Sequence, residues 1–186
     1  MTGASVGGVL LTGGTSSRLG RDKARLEFRG ETLAARTARA LVAVCLEVVE
    51  VGPGRSGLRA VREDPPGAGP LAALVAGADA LDPRHGVLLL ACDLPGVDAA
   101  LLAELRDDPA PGTLVPEADG RLQYTCARYA PDAMATARAL LHAGERSLRA
   151  LVAEIPFTVW VAPDPDRFAD IDTADDMERW GIGGGR

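Results

Sequence analysis

The order of apolar and polar positions along the chain predicts strands that alternate with helices. Residues 6–11 and 86–91 are almost entirely apolar, which is typical of strands covered on both faces in a parallel sheet. Shorter apolar runs predict further strands over residues 46–51, 58–61, 113–115, 122–128 and 157–161. Helical patterns predict helices that begin at residues 33 and 98, helices over 71–81, 131–142 and 147–154, and a short one that ends at Trp180.

Turn signals connect these segments into one α/β domain over residues 1–186. Asp119-Gly120 is a hairpin signal, so the strand after it should return antiparallel to the strand before it. Strands that alternate with helices otherwise form parallel sheets, so we predict a mostly parallel sheet with one antiparallel strand. Ligands bind at the carboxyl ends of such strands, where the loop after residue 11, Asp64 and Asp93 are expected to lie. Asp64 would also suit the turn before two prolines.

Composition changes this picture mainly by excluding partners. The chain is 47% apolar and 25% charged, which is globular, and its formal net charge of −6 argues against broad nucleic-acid binding. Three scattered cysteines without a Cys/His cluster argue against zinc and fit reduced thiols. We identify neither a signal peptide nor an apolar run long enough to span a membrane. The cytoplasm is therefore the expected location, and a membrane is not an expected partner.

The segment after the first predicted strand is rich in glycines, hydroxyls and cations. It runs Leu11-Thr12-Gly13-Gly14-Thr15-Ser16-Ser17-Arg18-Leu19-Gly20-Arg21-Asp22-Lys23. Its spacing matches neither the Walker pattern nor the dinucleotide-binding fingerprint. Glycines let backbone N–H groups approach a phosphate, and Arg18, Arg21 and Lys23 would neutralise its charge. The segment predicts a nucleotide triphosphate site, with an ordinary glycine-rich turn as the alternative.

Carboxylates near strand ends are the second chemical signal. Asp93 closely follows the apolar run 86–91, a common position for a magnesium ligand, although it would also suit a helix N-cap. Asp170 and Asp172 alternate, so an extended backbone places both on one side, while Asp172 or Thr173 would also suit a helix cap. No nucleophile motif accompanies them. A phosphate loop with metal-binding carboxylates favours phosphoryl or nucleotidyl transfer.

Several motifs, in order, resemble those of the molybdenum cofactor guanylyltransferase family, within the nucleotidyltransferases of glycosyltransferase-A-like fold. The matching segments are Leu11-Thr12-Gly13-Gly14, Arg18-Leu19-Gly20, Asp22-Lys23, Gly69-Pro70-Leu71-Ala72-Ala73, Cys92-Asp93-Leu94-Pro95, residues 119–125 and Asp170-Ile171-Asp172-Thr173. Together they span nearly the whole chain. The resemblance implies a three-layer α/β/α, Rossmann-like nucleotidyltransferase fold.

The resemblance also implies a reaction: GMP passes from GTP to the phosphate of molybdopterin, or molybdenum cofactor, with Mg²⁺, and pyrophosphate is released. The implied nucleotide-binding residues are Leu11, Thr12, Gly13, Gly14, Arg18, Lys23, Asp64 and Asp93. The implied substrate-binding residues are Gly69, Pro70, Asp170 and Asp172. Asp93 and Asp172 would bind Mg²⁺, and the implied catalytic residues are Arg18, Lys23 and Asp93. Transient contact with molybdopterin-processing proteins or molybdoenzymes is also implied.

Departures from the family pattern leave alternatives for the nucleotide and the acceptor. Thr12 replaces an alanine at the base-binding end, and Asp170 and Asp172 replace two asparagines. The Gly13-Gly14 pair favours guanine over cytosine, since the cytidylyl branch usually carries Thr-Ala-Ala-Gly there. The alternatives are cytidylyl transfer to the same cofactor, nucleotidyl transfer to another small phosphate acceptor, and a non-catalytic nucleotide-binding partner protein. The retained phosphate and metal residues argue against the last.

Overall fold

The computed structural model of the chain describes residues 5–13 and 20–182. The strands within this part are β1 (Val6–Leu11), β2 (Glu27–Phe28), β3 (Glu31–Thr32), β4 (Val48–Val51), β5 (Ala60–Val61), β6 (Gly86–Ala91), β7 (Thr113–Ala118), β8 (Arg121–Leu122), β9 (Cys126–Tyr129) and β10 (Phe157–Val161). The α-helices are α1 (Leu33–Val42), α2 (Pro70–Asp79), α3 (Ala99–Asp107), α4 (Ala133–His142), α5 (Leu148–Glu154) and α6 (Ala174–Arg179). Short 3₁₀ turns occupy Lys23–Arg25 and Pro165–Phe168.

The central sheet has the order β10-β7-β9-β6-β1-β4-β5, with β8 paired to β7. β1 is parallel to both of its neighbours, β4 and β6, so the carboxyl ends of these three strands lie at one edge. The pairs β4–β5 and β7–β10 are also parallel, whereas β9 runs antiparallel between β6 and β7. The predicted α/β class with a mostly parallel sheet is confirmed.

The antiparallel part of the sheet differs in detail from the single strand predicted over residues 122–128. β8 pairs with β7 across the predicted Asp119-Gly120 turn, and β9 then pairs mainly with β6. Between them the chain turns, and Gln123 N donates to Pro116 O at 2.8 Å. The predicted strand is therefore two short antiparallel strands, because its two halves pair with different partners.

Helices cover both faces of the sheet, as the alternation of side chains along β1 requires. Val9 and Leu11 belong to a core shared with α2, α4 and α5, whereas Val6 and Leu10 belong to a core shared with α1 and α3. Because both faces are buried, β1 and β6 are apolar at consecutive positions. This is the three-layer α/β/α arrangement that the sequence indicates.

A third, smaller core joins the C-terminal segment to a hairpin formed by β2 and β3. Its members are Leu26, Phe28, Leu33, Ile171 and Ile182, with Met177 and Trp180 packed against them. The Trp180 ring stands edge-on to the Phe28 ring, with centroids 5.9 Å apart. The hairpin turns at Arg29-Gly30, where both residues have positive φ. This core holds the segment around residue 172 beside the turn that begins at Lys23.

Helix starts follow capping signals in the sequence. The Thr32 hydroxyl accepts from Ala35 N at 3.2 Å at the start of α1, and the Asp98 carboxylate accepts from Leu101 N at 3.0 Å at the start of α3. Pro70 occupies the first turn of α2, where its missing N–H costs no hydrogen bond. Of the helices described, none has both the length and the apolar character needed to cross a membrane.

Candidate active site

The carboxyl ends of β1, β4 and β6 open onto a cleft with a volume of about 1290 Å³. Its described lining comes from the loops after these strands and after β5, from the turn around Lys23 and from the start of α2, together with Thr125 and Asp172. The polar side chains in that lining are Thr12, Arg21, Asp22, Lys23, Arg62, Glu63, Asp93, Thr125 and Asp172. The cleft therefore combines cations, carboxylates and hydroxyls at the edge where α/β sheets bind ligands.

Lys23 lies between two carboxylates in this cleft. Its Nζ atom is 3.0 Å from Asp93 Oδ2 and 2.5 Å from Asp172 Oδ1. The Lys23 side chain is only 16% exposed, whereas the side chains of Asp93 and Asp172 are 26% and 42% exposed, so water reaches these ion pairs mainly from the carboxylate side. The 3₁₀ turn that begins at Lys23 is capped by Asp22, whose Oδ1 accepts from Ala24 N at 3.2 Å. The position of the ammonium group is thus set by both local capping and tertiary ion pairs.

The two carboxylates come from segments that are joined through the backbone. Asp93 follows β6, and its carbonyl oxygen accepts from Ile171 N at 3.1 Å. Ile171 is completely buried, which fixes the neighbouring Asp172 at the cleft. Neither carboxylate caps a helix, because Asp98 caps α3 and Thr173 caps α6. The capping alternatives for Asp93 and Asp172 are therefore wrong.

Charges in this cluster shift two pKa values. Burial lowers the pKa of Lys23, but the hydrogen bond with Asp172 and the charge of Asp93 outweigh it, so the net pKa is raised. Lys23 is therefore a cation at neutral pH. Partial desolvation of its carboxyl, followed by the charges of Asp172 and Asp93, raises the pKa of Asp170. Asp170 is exposed and is not among the described residues of the cleft lining.

Part of the predicted nucleotide loop reaches the cleft. The described members of the lining from this loop are Leu11, Thr12, Gly13, Gly20, Arg21, Asp22 and Lys23. Gly14 and Arg18 lie outside the described residues. Thr12 is buried, and its hydroxyl donates to the carboxylate of Glu50, a residue of β4 that sequence reasoning did not identify as functional.

The loop after β5 contributes residues beyond those that the sequence indicated. Gly69 and Pro70 line the cleft. Asp64 is exposed and is not part of the described lining, whereas Arg62 and Glu63 are. Sequence reasoning missed Arg62 and Glu63, although their position directly after a predicted strand was a usable signal.

Asp93 and Asp172 are the described carboxylates best placed for a divalent cation. Both contact the same ammonium group, so their oxygens already converge on one positive charge. Mg²⁺ is usually bound by one or two carboxylates together with substrate phosphates. Within residues 5–13 and 20–182, no three His, Cys, Asp or Glu side chains are arranged to hold a metal by themselves. The donor set therefore fits a cation that binds together with a phosphate ligand.

Comparison with protein families gives a match over most of the chain. Residues 8–159 match the family model of the MobA-like NTP transferase domain. A relative from Opitutus terrae, named probable molybdenum cofactor guanylyltransferase, is 37% identical over 179 residues, which are 89% of this chain and 88% of the relative. The molybdenum cofactor guanylyltransferase of Pseudomonas fluorescens is 34% identical over 177 residues, with the same coverage of 89% and 88%.

Solved structures share the same fold. The molybdopterin-guanine dinucleotide biosynthesis protein A of Archaeoglobus fulgidus superposes with a TM-score of 0.77. The alignment covers 94% of this chain and 96% of that chain, at 19% sequence identity. The architecture of the central sheet and its flanking helices is thus that of a known nucleotidyltransferase fold.

Proposed function

The chain belongs to the MobA-like NTP transferase family, and we propose that it joins GMP from GTP to the phosphate of molybdopterin. It is a nucleotidyltransferase, and its relatives at 34–37% identity over most of the chain are named molybdenum cofactor guanylyltransferases. The observation that carries the proposal is Lys23 held between Asp93 and Asp172 in a cleft of about 1290 Å³. A volume of this size accommodates two substrates side by side.

The nucleotide half of the site is proposed to be the loop after β1 and its surroundings. Leu11, Thr12 and Gly13 are proposed to contact the base and ribose, and their position in the cleft lining beside Gly52 supports this. Asp64 and Gly14 remain predicted nucleotide contacts.

The phosphates are proposed to bind at the part of the cleft formed by the turn around Lys23. Arg21 and Lys23 line it, and Arg18 remains a predicted phosphate contact and catalytic residue. Because the Lys23 pKa is raised, its ammonium group is protonated when GTP binds at neutral pH.

The proposed reaction needs no covalent intermediate with the protein. A phosphate oxygen of molybdopterin attacks the α-phosphorus of GTP and forms a new P–O bond. The bond from that phosphorus to the bridging oxygen of the β-phosphate breaks, and pyrophosphate leaves with that oxygen. Lys23 donates hydrogen bonds to phosphate oxygens as their charge redistributes, and preorganised donors of this kind stabilise such transition states.

Asp93 and Asp172 are proposed to hold Mg²⁺ in this reaction. A divalent metal is a general requirement of nucleotidyltransferases, and when bound it neutralises phosphate charge and orients the leaving pyrophosphate. In the structure the Lys23 ammonium group supplies the positive charge that keeps the two carboxylates close together.

The acceptor half of the site is proposed to lie towards α2 and the C-terminal segment. Gly69 and Pro70 line the cleft there, and Asp170 and Asp172 are the predicted polar contacts on the other side. We place the reaction in the cytoplasm, where the free thiols of the cysteines would stay reduced. Hand-over of the product to molybdoenzymes would follow there.

Pyrophosphate release tests the proposal. With molybdopterin and Mg²⁺, we expect release with GTP and little with CTP, ATP or UTP. Asp93→Asn should lower turnover by about 100-fold, because it removes a charged ligand and one partner of Lys23. Asp82→Asn is the matched control, since Asp82 pairs with Arg84 in a loop before β6, at the opposite edge of the sheet. Silence with every nucleotide, or full turnover by Asp93→Asn, would contradict the assignment.

A further inference from the structure

A buried carboxylate lies next to the nucleotide end of the cleft. Glu50 is 0% exposed, and it sits inside the sheet in register with Leu10 of β1 and Ala60 of β5. Strands in such positions are normally apolar, because a buried charge costs several kcal/mol unless hydrogen bonds compensate it. Among the residues that the structure describes, no cation lies within ion-pair distance of Glu50.

Hydrogen-bond donors from two loops compensate the charge of the Glu50 carboxylate. Gly54 N, Arg55 N and Ser56 N each donate to the Glu50 carboxylate at 2.8 Å. The Ser56 hydroxyl donates at 2.6 Å, and the Thr12 hydroxyl donates from the other side. Burial raises the pKa of Glu50, but the hydrogen bonds from Ser56 and Thr12 outweigh it and lower the net pKa. The carboxylate is therefore ionised and holds both loops at once.

The loop that Glu50 holds forms a wall of the cleft. Gly52 and Pro53 line it, and Gly52 lies directly beside Thr12 and Gly13. The two loops approach so closely that a Cβ on Gly52 would fall on the Thr12 hydroxyl and 2.9 Å from Gly13 N. Because the two loops pack this tightly, the backbone of the wall has one conformation. That conformation depends on the Glu50 carboxylate, which accepts hydrogen bonds from both loops.

The same loop also contacts the 3₁₀ turn that begins at Lys23. Arg55 Nε donates to Asp22 Oδ2 at 2.9 Å, and the other oxygen of Asp22 accepts from Ala24 N in the turn that begins at Lys23. The loop after β4 is thereby connected to both sides of the nucleotide half of the cleft. Glu50 is not among the described residues of the cleft lining, so any effect of Glu50 on nucleotide binding must pass through these loops.

We propose that Glu50 is a positioning residue that fixes the nucleotide-binding wall made by Thr12, Gly13 and the loop at residues 52–56. This inference rests on the proposed function. Its role is to keep the backbone of the wall preorganised for the base and ribose. Loss of the carboxylate should weaken nucleotide binding and leave the chemical step and the acceptor site largely unchanged.

Glu50→Gln tests the proposal with the least change in shape. The glutamine NH₂ group is a donor and would face backbone N–H donors, so part of the wall would lose its partner. We expect the KM for GTP to rise about tenfold, with kcat and the KM for molybdopterin within about twofold of wild type. Glu47→Gln is the matched control, because Glu47 precedes the same strand at its other end and binds Asp82 N instead.

Ser56→Ala keeps the proposal testable if Glu50→Gln does not fold. It removes one donor to the carboxylate, and Ser56 is not among the described residues of the cleft lining. We expect a folded protein whose KM for GTP rises about threefold. An unchanged KM in the folded variants, or a fall in kcat alone, would overturn the positioning role.

A separate measurement distinguishes failure of this inference from failure of the proposed function. Calorimetry of GTP binding to wild type and Glu50→Gln needs no acceptor and no turnover. If wild type binds GTP but transfers nothing, the proposed function fails, and the ratio of the two affinities still tests Glu50. Equal affinities in folded proteins would overturn the inference even if wild type is fully active.

Discussion

Lys23 is the only lysine in a chain with 20 lysine and arginine residues. A lysine is a compact point charge on a flexible stem, whereas an arginine is a fixed planar fork. A compact charge can sit between Asp93 and Asp172 and then turn towards phosphate oxygens in the proposed reaction. Because no other lysine competes, the state of this ammonium group can be measured directly.

Amine labelling of Lys23 should reveal its raised pKa. The shift stabilises the charged form, so the ion pairs persist below the ordinary value of 10.5 and are lost only as pH rises through the higher pKa. Acetic anhydride should therefore modify Lys23 more slowly at pH 9 than it modifies a free lysine. Asp172→Asn should accelerate the modification by about threefold, because it removes the strongest partner. Mass spectrometry of the peptide gives the rate, and equal rates in the two proteins would contradict the ion-pair geometry.

The residues of this cluster were predictable because each lies where a sequence pattern has chemical meaning. Lys23 ends a loop of glycines and hydroxyls, and Asp93 closely follows a fully apolar strand. Glu50 was not predictable, since a lone acidic residue in a strand pattern usually marks a solvent-facing position. Only the structure shows that the chain folds back and surrounds it with donors. The roles assigned to Gly69, Pro70 and Asp170 stay predictions.

The C-terminal segment is the element that places Asp172. It has no strand pairing near that residue, and it is held by the small core in which Trp180 stands against Phe28. The hairpin of β2 and β3 forms the other side of this core and continues from the Lys23 turn. Packing between these two short elements therefore controls how closely Asp172 approaches Lys23.

Trp180→Ala should loosen the packing between the C-terminal segment and the β2–β3 hairpin and leave the two main cores intact. Removal of the half-buried ring should lower the free energy of unfolding by about 2 kcal/mol. It should also lower turnover by about tenfold, because a small displacement of Asp172, a proposed metal ligand, is costly. Trp160→Ala is the matched control, since Trp160 packs on a different core. Denaturant unfolding and initial rates measure both effects, and equal turnover in the two variants would refute the coupling.

Elements with strong periodicity were predictable, and elements built by tertiary contacts were not. The strands at residues 6–11, 86–91 and 157–161 have the predicted bounds. The first two are buried apolar runs, whereas the third is largely exposed and pairs with β7 at the edge of the sheet. The β2–β3 hairpin was missed, since two-residue strands carry no period. The strand over residues 122–128 divides in two because its halves pair with different neighbours, which local sequence cannot encode.

At the scale of the whole molecule, the candidate active site lies at one edge of the central sheet. Three adjacent parallel strands end at the cleft, and the loops that follow β1 and β6 bring Lys23 and Asp93 together in a chain of formal net charge −6. The described lining of this cleft carries three cations, Arg21, Lys23 and Arg62, and four carboxylates, Asp22, Glu63, Asp93 and Asp172, so it is mixed in charge. We propose that residues 1–186 act as a single domain, since both main cores draw on strands from the first and second halves of the chain.

Transfer of radioactive label from [α-³²P]GTP to molybdopterin tests the central claim most directly. The purified chain, molybdopterin and Mg²⁺ should yield a labelled dinucleotide product and one pyrophosphate for each label transferred. A tenfold excess of unlabelled CTP should leave the yield nearly unchanged, and Asp93→Asn should form almost no product. No labelled dinucleotide from wild type, or equal labelling from [α-³²P]CTP, would contradict the account.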